Sequence, residues 1–222
     1  MSNIFQAVES SKPRRTNFDL SFENKLTCNM GQLVPFLCKE VLPSDTFNLK
    51  SEVFLRFSPL LAPVMHRVNV FTHFFFVPNR LLWEEWEDFI TGGEDGLQEP
   101  SYPMIDLNEA YTGGGNLVKD STLWDYIGCP SIKKAPATSF QVSALPFRAY
   151  QLIYQEYYRD QNLIEKIEFG NGKSGLVSSA EAEELLKLRT RAWEKDYFTS
   201  ALPWTQKGAE VTLPITGDGK CY

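Results

Sequence analysis

One segment, residues 67–77, constrains the fold more than any other part of this 222-residue chain. Its side chains alternate with a period of two, which predicts a β-strand. The strand would have two largely apolar faces, one made by Val68, Val70, Thr72, Phe74 and Phe76 and the other by Asn69, Phe71, His73, Phe75 and Val77. We expect one face to meet an opposing sheet, and the other to be covered by a helix, a loop or a neighbouring subunit.

Bulk composition narrows the class of protein. Aromatic residues make up 14% of the chain, which favours β-structure and large contact surfaces. The formal net charge of −6 argues against a freely soluble nucleic-acid reader, although a local basic arm is compatible with it. The sequence contains neither a signal-like N-terminus nor an apolar run long enough to span a bilayer. We therefore expect no membrane partner, and a protein that stays in the cytoplasm unless it leaves as part of a particle.

Pattern changes along the chain predict four regions. Residues 1–22 are polar and lack a period, which predicts an extended N-terminal arm. Residues 23–80 alternate, notably at 46–50 and 53–57, and predict the first strands of a mainly β fold. Residues 81–205 mix helical spacing with stretches rich in Gly, Pro and Ser, which predicts a region of helical and loop insertions. Residues 206–222 predict the start of a further strand and a loop.

Three helices are predicted within the insertion region. The first ends at Gly92, the second runs from Pro146 to about Asp160, and the third follows a capping box at Ser178. The predicted strands are too few to close a β-sandwich. The fold is therefore expected to be incomplete in this chain, and the 222 residues are expected to be a fragment of a longer protein.

Residues that could carry catalysis do not assemble into a known motif. His66 and His73 would point to opposite faces of a strand, so they do not suggest a metal site. The glycine-rich loop at 170–175 has Ile167 where a phosphate-binding loop needs Gly, and a flexible polar loop is the better interpretation. Two carboxylate clusters, at 84–88 and 181–184, are expected to be solvated helix faces. No catalytic, cofactor-binding or metal-binding residue is assigned, and no enzyme activity is expected.

Two sets of residues are candidates for binding. The second predicted helix carries a stripe of four tyrosines: Tyr150, Tyr154, Tyr157 and Tyr158. This stripe could stack on bases, but packing in a core or a subunit interface is favoured because few basic residues are interleaved. The arm carries a basic cluster made by Lys12, Arg14 and Arg15. These three residues could contact nucleic-acid phosphates or simply be solvated, and the sequence favours neither alternative.

Long blocks of the sequence resemble a known viral family. The segments that carry the resemblance are Met1–Phe5, Phe18–Ser21, Leu33–Pro35, Leu55–Leu60, Ala62–Val68, Val70–Trp83 and Asp196–Trp204. They are similar to the major capsid proteins of the Microviridae. Three of them are similar to the gokushovirus branch in particular: Leu55–Leu60, Ala62–Val68 and Val70–Trp83. The resemblance runs from residue 1 to about residue 214 and is weaker at 94–145 and 160–180.

The resemblance implies a fold and a set of partners. The fold would be a viral single jelly roll, a β-sandwich with large insertions. The protein would assemble with copies of itself into an icosahedral shell around circular single-stranded DNA. Its other partners would be phage structural and scaffolding proteins, its location the virion, and its site of assembly the bacterial host cytoplasm. The alternative is a jelly-roll carbohydrate-binding protein, because one fold serves many functions.

Overall fold

A computed structural model describes residues 11, 13–114, 117–132, 140–202, 204 and 208. Within these residues, the helices and strands lie between residues 79 and 185. In chain order they are α1 (Asn79–Leu82), α2 (Trp86–Thr91), β1 (Met104–Asp106), α3 (Leu107–Gly114), α4 (Leu123–Ile127), β2 (Gln141–Ser143), α5 (Leu145–Ile153), a π-helix (Tyr154–Tyr158) and α6 (Ser179–Leu185).

Local chemistry sets the ends of these helices. Gly92 terminates α2 with φ +81°, a left-handed conformation that costs glycine nothing and other residues much more. Pro146 lies in the first turn of α5, where its missing N–H leaves no helical hydrogen bond unmade. The predicted end at Gly92 and the predicted start near Pro146 are therefore both confirmed. The predicted third helix is confirmed as α6, although Ser178 makes no side-chain capping hydrogen bond.

A hydrophobic core forms where α3, α4, α5 and α6 meet. The ring of Trp124 on α4 stacks on that of Phe147 on α5, with their centroids 5.7 Å apart, and both are fully buried. Leu185 and Leu186, at the end of α6, are also excluded from solvent. Burial of each such side chain contributes roughly 1.5–3 kcal/mol. This core holds the helical part of the chain together.

Strands are scarce among the described residues. β1 and β2 pair antiparallel, with Met104 opposite Ser143, and Met104 also forms a single parallel bridge with Leu176. The expectation of a mainly β fold is not confirmed by this two-stranded sheet.

The strands predicted in residues 46–77 form no ladder within the described chain. Alternation determines which faces a segment can bury, but a strand is stabilised by hydrogen bonds to a partner strand. The described residues supply no such partner here, and large apolar side chains in this segment are exposed. Phe54, for example, has 92% of its surface in solvent.

The loop at 170–175 is docked on the turn between α1 and α2. The backbone N–H of Glu84 donates to the carbonyl of Asn171 at 3.0 Å, and the indole N–H of Trp83 donates to the hydroxyl of Ser174 at 2.8 Å. Glu84 also accepts a hydrogen bond from the Asn171 side chain at 3.2 Å. Residues 171–174 of the predicted polar loop are exposed, and these bonds tie the loop to the turn. Glu84 is exposed, as expected of a solvated residue, but it lies between α1 and α2 and not on a helix face.

None of the helices formed by the described residues has the length and apolar character needed to cross a bilayer.

Candidate subunit interface

The four tyrosines of the predicted stripe lie on one continuous helix that changes type. α5 carries Tyr150, and the π-helix that follows it carries Tyr154, Tyr157 and Tyr158. A π-helix has one extra residue in its hydrogen-bonded turn, seen here as the bond from Arg159 N–H to the Tyr154 carbonyl at 2.9 Å. This change of helical type decides which tyrosines face inward and which face solvent.

Tyr150 connects the helix to two distant segments. Its hydroxyl donates to the carbonyl of Leu33 at 2.9 Å and accepts from the backbone N–H of Arg189 at 2.9 Å. Burial raises the pKa of Tyr150 to about 12, against the opposing effect of the hydrogen bond from Arg189. The neutral phenol can donate and accept at once, which this position requires.

Tyr154 is buried inside the chain, with only 5% of its surface exposed. The guanidinium of Arg189 lies over its ring, 5.4 Å from the centroid, in a cation–π arrangement. Arg189 is fixed by Gln151, whose side-chain oxygen accepts at 2.8 Å, and by an ion pair with Glu184. Burial alone would raise the pKa of Glu184, but hydrogen bonds from Arg189 and Lys187 outweigh it, so the pKa is lowered.

Tyr157 and Tyr158 contact the predicted strand at 67–77. The ring of Tyr158 stacks on that of His73 at 5.9 Å, and its hydroxyl makes a hydrogen bond with His73 Nδ1. The ring of Tyr157 packs against Phe75 with centroids 4.8 Å apart, yet 69% of Tyr157 remains exposed. Of the four tyrosines, Tyr157 therefore has the most surface to offer to another molecule.

Residues 189–192 also contact the segments that the tyrosines contact, and together they form a junction. The N–H of Leu33 donates to the carbonyl of Arg189 and the N–H of Arg191 to that of Gly31, both at 2.9 Å, around the bridge between Gln32 and Thr190. The Arg191 guanidinium also lies 5.5 Å from the centroid of the Phe71 ring. α5 and the π-helix together carry the four tyrosines, and we call them the tyrosine helix (residues 145–158). The tyrosine helix thus joins segments 31–33, 71–75 and 189–192 within one chain.

The structure separates the sequence-predicted residues into two groups. The four tyrosines lie together, and Tyr150 and Tyr154 are engaged within the chain. Arg14 and Arg15 are exposed, and no contact within the described residues joins them to the tyrosines. Lys12, the third residue of the basic cluster, lies outside the described residues.

A buried polar cluster was missed by the sequence analysis. Arg148 is fully buried and donates to the carbonyls of Leu82 at 3.3 Å and Lys173 at 3.1 Å. It also pairs with Glu181, whose side chain is 8% exposed and is held by Lys173 as well. Burial lowers the pKa of Arg148, and the charge of Glu181 opposes that effect. The interpretation of Glu181 as part of a solvated helix face is therefore wrong.

The sequence did contain a signal for this cluster. Arg148, Gln151 and Gln155 follow the spacing i, i+3, i+7 and share one face of the helix, and all three are buried. Gln151 donates to the carbonyls of Leu185 at 2.8 Å and Lys187 at 3.0 Å, which satisfies its buried amide. A polar stripe beside an aromatic stripe indicates a helix that is buried on more than one side.

Comparison with known proteins identifies the family. Residues 6–220 match the family described as "Capsid protein (F protein)". The chain is 39% identical over 231 residues to capsid protein VP1 of Chlamydia phage 1, an alignment that covers 98% of this chain and 38% of that protein. It is 39% identical over 211 residues to capsid protein VP1 of Bdellovibrio phage phiMH2K, covering 95% and 37%.

A third relative is more distant. Capsid protein VP1 of Spiroplasma virus 4 is 30% identical over 195 residues, covering 85% of this chain and 34% of the relative. The chain therefore spans a little over a third of the length of these curated relatives. The resemblance found from the sequence blocks is confirmed by these matches. The chain belongs to the capsid protein (F protein) family and is a gokushovirus-like capsid protein of the Microviridae type.

Proposed function

We propose that the protein assembles with copies of itself into an icosahedral shell that encloses a circular single-stranded DNA genome. The observation that carries this proposal is the match to capsid protein VP1 over 98% of the chain. Other phage structural and scaffolding proteins are its further partners. The virion is its location, and assembly takes place in the bacterial host cytoplasm. The role is structural, and no catalytic step is assigned to any residue.

The proposed fold is a viral single jelly roll. In that fold residues 1–22 form an extended arm and 23–80 supply the first strands. Residues 81–205 form the insertion region, and 206–222 begin a further strand, which falls largely outside the described residues.

The contacts of segment 71–77 support this assignment. Phe71, His73 and Phe75 lie two residues apart and all contact the junction formed by the tyrosine helix and residues 189–192. Phe74 and Phe76 belong to the other face of the predicted strand. Phe74 packs against Phe36, with ring centroids 5.9 Å apart, and Phe76 is exposed. Successive side chains of a β-strand point to opposite faces, so contacts that alternate along the segment are typical of a strand. In a jelly roll the second face would pack against an opposing sheet.

The exposed apolar surface of residues 18–76 is the energetic basis of the proposal. Large apolar side chains that remain in solvent here include Phe18, Phe54, Leu61, Met65 and Phe76. Obligate assemblies bury large apolar side chains of this kind between their subunits. Repeated symmetric contacts between identical subunits then close a shell.

Particle formation tests the proposed function. Expressed from its complete reading frame, the protein is expected to sediment as closed particles that contain nuclease-protected DNA. Electron microscopy of the heavy fraction would show icosahedral shells. A protein that instead elutes as a small oligomer and binds glycans would contradict the capsid proposal and support the carbohydrate-binding alternative.

The basic arm is proposed to contact the packaged DNA. Changing Lys12, Arg14 and Arg15 to Ala is expected to leave folding intact, because a terminal arm makes few core contacts. DNA retention by the particles should fall, and each lost phosphate contact should reduce the salt dependence of single-stranded DNA binding by about 0.7 in log–log slope. The measurement is the DNA content of purified particles over a range of salt concentrations.

A matched control distinguishes this effect from a general loss of charge. Lys50 is exposed and already ion-paired with Glu52 at 2.8 Å, so Lys50→Ala should leave DNA content unchanged. Normally filled particles from the triple variant would remove the proposed DNA contact.

A further inference from the structure

We propose that Asn171 is a site of spontaneous deamidation whose product releases the 170–175 loop from the turn between α1 and α2. Asn171–Gly172 is the one asparagine–glycine pair in the sequence. The pair occupies the centre of an exposed turn, closed by a hydrogen bond from Lys173 N–H to the Gly170 carbonyl at 3.0 Å. Glycine leaves the nitrogen that follows the asparagine sterically unhindered.

The reaction needs only water. The backbone nitrogen of Gly172 attacks the side-chain carbonyl carbon of Asn171, and a new C–N bond closes a five-membered imide. The bond to the side-chain nitrogen breaks, and ammonia leaves with the proton lost by Gly172. Water then opens the imide at either carbonyl and gives aspartate or isoaspartate.

The local hydrogen bonding permits the first step. Within the described residues the Gly172 N–H donates no hydrogen bond, so no intrachain bond must be broken before its nitrogen attacks. Among the residues that the structure describes, the Asn171 side chain makes a single hydrogen bond, from its amide nitrogen to Glu84 Oε1 at 3.2 Å. The reacting groups are therefore held by one exposed contact.

The product changes an attraction into a repulsion. Deamidation replaces the Asn171 donor with a carboxylate that faces the carboxylate of Glu84, and like charges at hydrogen-bond distance repel. Glu85, which accepts a hydrogen bond from Ser174, adds a second negative charge nearby. The loop is then expected to loosen from the turn, which weakens the bonds from Glu84 N–H to Asn171 and from the Trp83 indole to Ser174.

Peptide mass spectrometry of the aged protein tests the chemistry. The purified chain is incubated in warm, mildly alkaline buffer, and the mass gain from NH₂ to OH is followed in the peptide between Lys166 and Lys173. Asn171 is expected to react on the order of tenfold faster than Asn24, an exposed asparagine followed by lysine. In Gly172→Ala the rate at Asn171 should fall to that of Asn24. Equal rates at Asn171 and Asn24 in the unaltered chain would overturn the proposal.

The Gly172→Ala variant is compatible with the fold. A Cβ at Gly172 would lie 3.3 Å from the Glu84 carboxylate, the movable end of a side chain, and Gly172 is not in the left-handed region. The variant is therefore expected to slow the reaction without unfolding the loop.

Hydrogen exchange tests the structural consequence. Asn171→Asp, which imitates one product, should raise exchange at the backbone N–H of Glu84 several-fold. Adding Glu84→Gln should restore slow exchange, because it removes the opposing charge. Unchanged exchange in Asn171→Asp, or no rescue by Glu84→Gln, would overturn the proposed release.

Discussion

Replacing Arg148 with methionine is expected to destabilise the helical part of the chain by about 3 kcal/mol, because it leaves a largely buried carboxylate with the exposed Lys173 but without its buried partner. Arg148 is fully buried and Glu181 is 8% exposed, so water cannot replace the lost contact at little cost. The substitution also leaves the Leu82 carbonyl without the donor it has in the unaltered chain. Denaturant unfolding followed by circular dichroism would measure the difference.

Two variants control this prediction. Lys173 pairs with the same carboxylate but is 68% exposed, so Lys173→Met should cost no more than about 1 kcal/mol. Adding Glu181→Leu to Arg148→Met should recover part of the lost stability, because the carboxylate that lost its buried partner is then removed. Equal costs for Arg148→Met and Lys173→Met would show that burial does not determine the strength of this cluster.

Tyr154→Ala and Tyr157→Ala are expected to fail in different ways. Tyr154 is buried beneath Arg189, so its truncation should destabilise the folded chain by about 3–5 kcal/mol, the range for large aromatic deletions in cores. Tyr157 is 69% exposed, so its truncation should barely change folding. We propose that Tyr157 contacts a neighbouring subunit, so Tyr157→Ala should weaken that contact by about 2 kcal/mol and sharply reduce particle yield.

The measurement pairs folding with assembly for both variants. Circular dichroism and denaturant unfolding report on the subunit, and sedimentation reports on particle yield. Loss of folding in Tyr157→Ala would place its ring in the intrachain core. A normal particle yield from folded Tyr157→Ala would show that this ring takes no part in assembly.

Helix positions were predictable because their signals are local. Gly92 and Pro146 act through the conformation of their own backbone, and both mark helix ends in the structure. Strand pairing was not predictable in the same way, because a ladder depends on a partner that alternation at 67–77 does not specify.

The tyrosine stripe shows a second limit. The sequence placed four tyrosines on one helix, but a regular α-helix was assumed. The π-helix at Tyr154–Tyr158 changes the angular spacing of the side chains, so exposure could not be assigned residue by residue. Arg148 was missed for a different reason, since a charged side chain is expected at the surface unless a partner such as Glu181 is known.

The contact between Leu33 and Tyr150 has a consequence for the order of events during synthesis. The two residues are separated by 117 positions, so Leu33 leaves the ribosome well before its hydrogen-bond partner exists. At typical elongation rates that interval is on the order of ten seconds. During this time the apolar residues of the first third of the chain lack the helix that carries Tyr150, and they are open to chaperones or to premature contacts with other nascent chains. Slower translation between these positions would prolong that exposure.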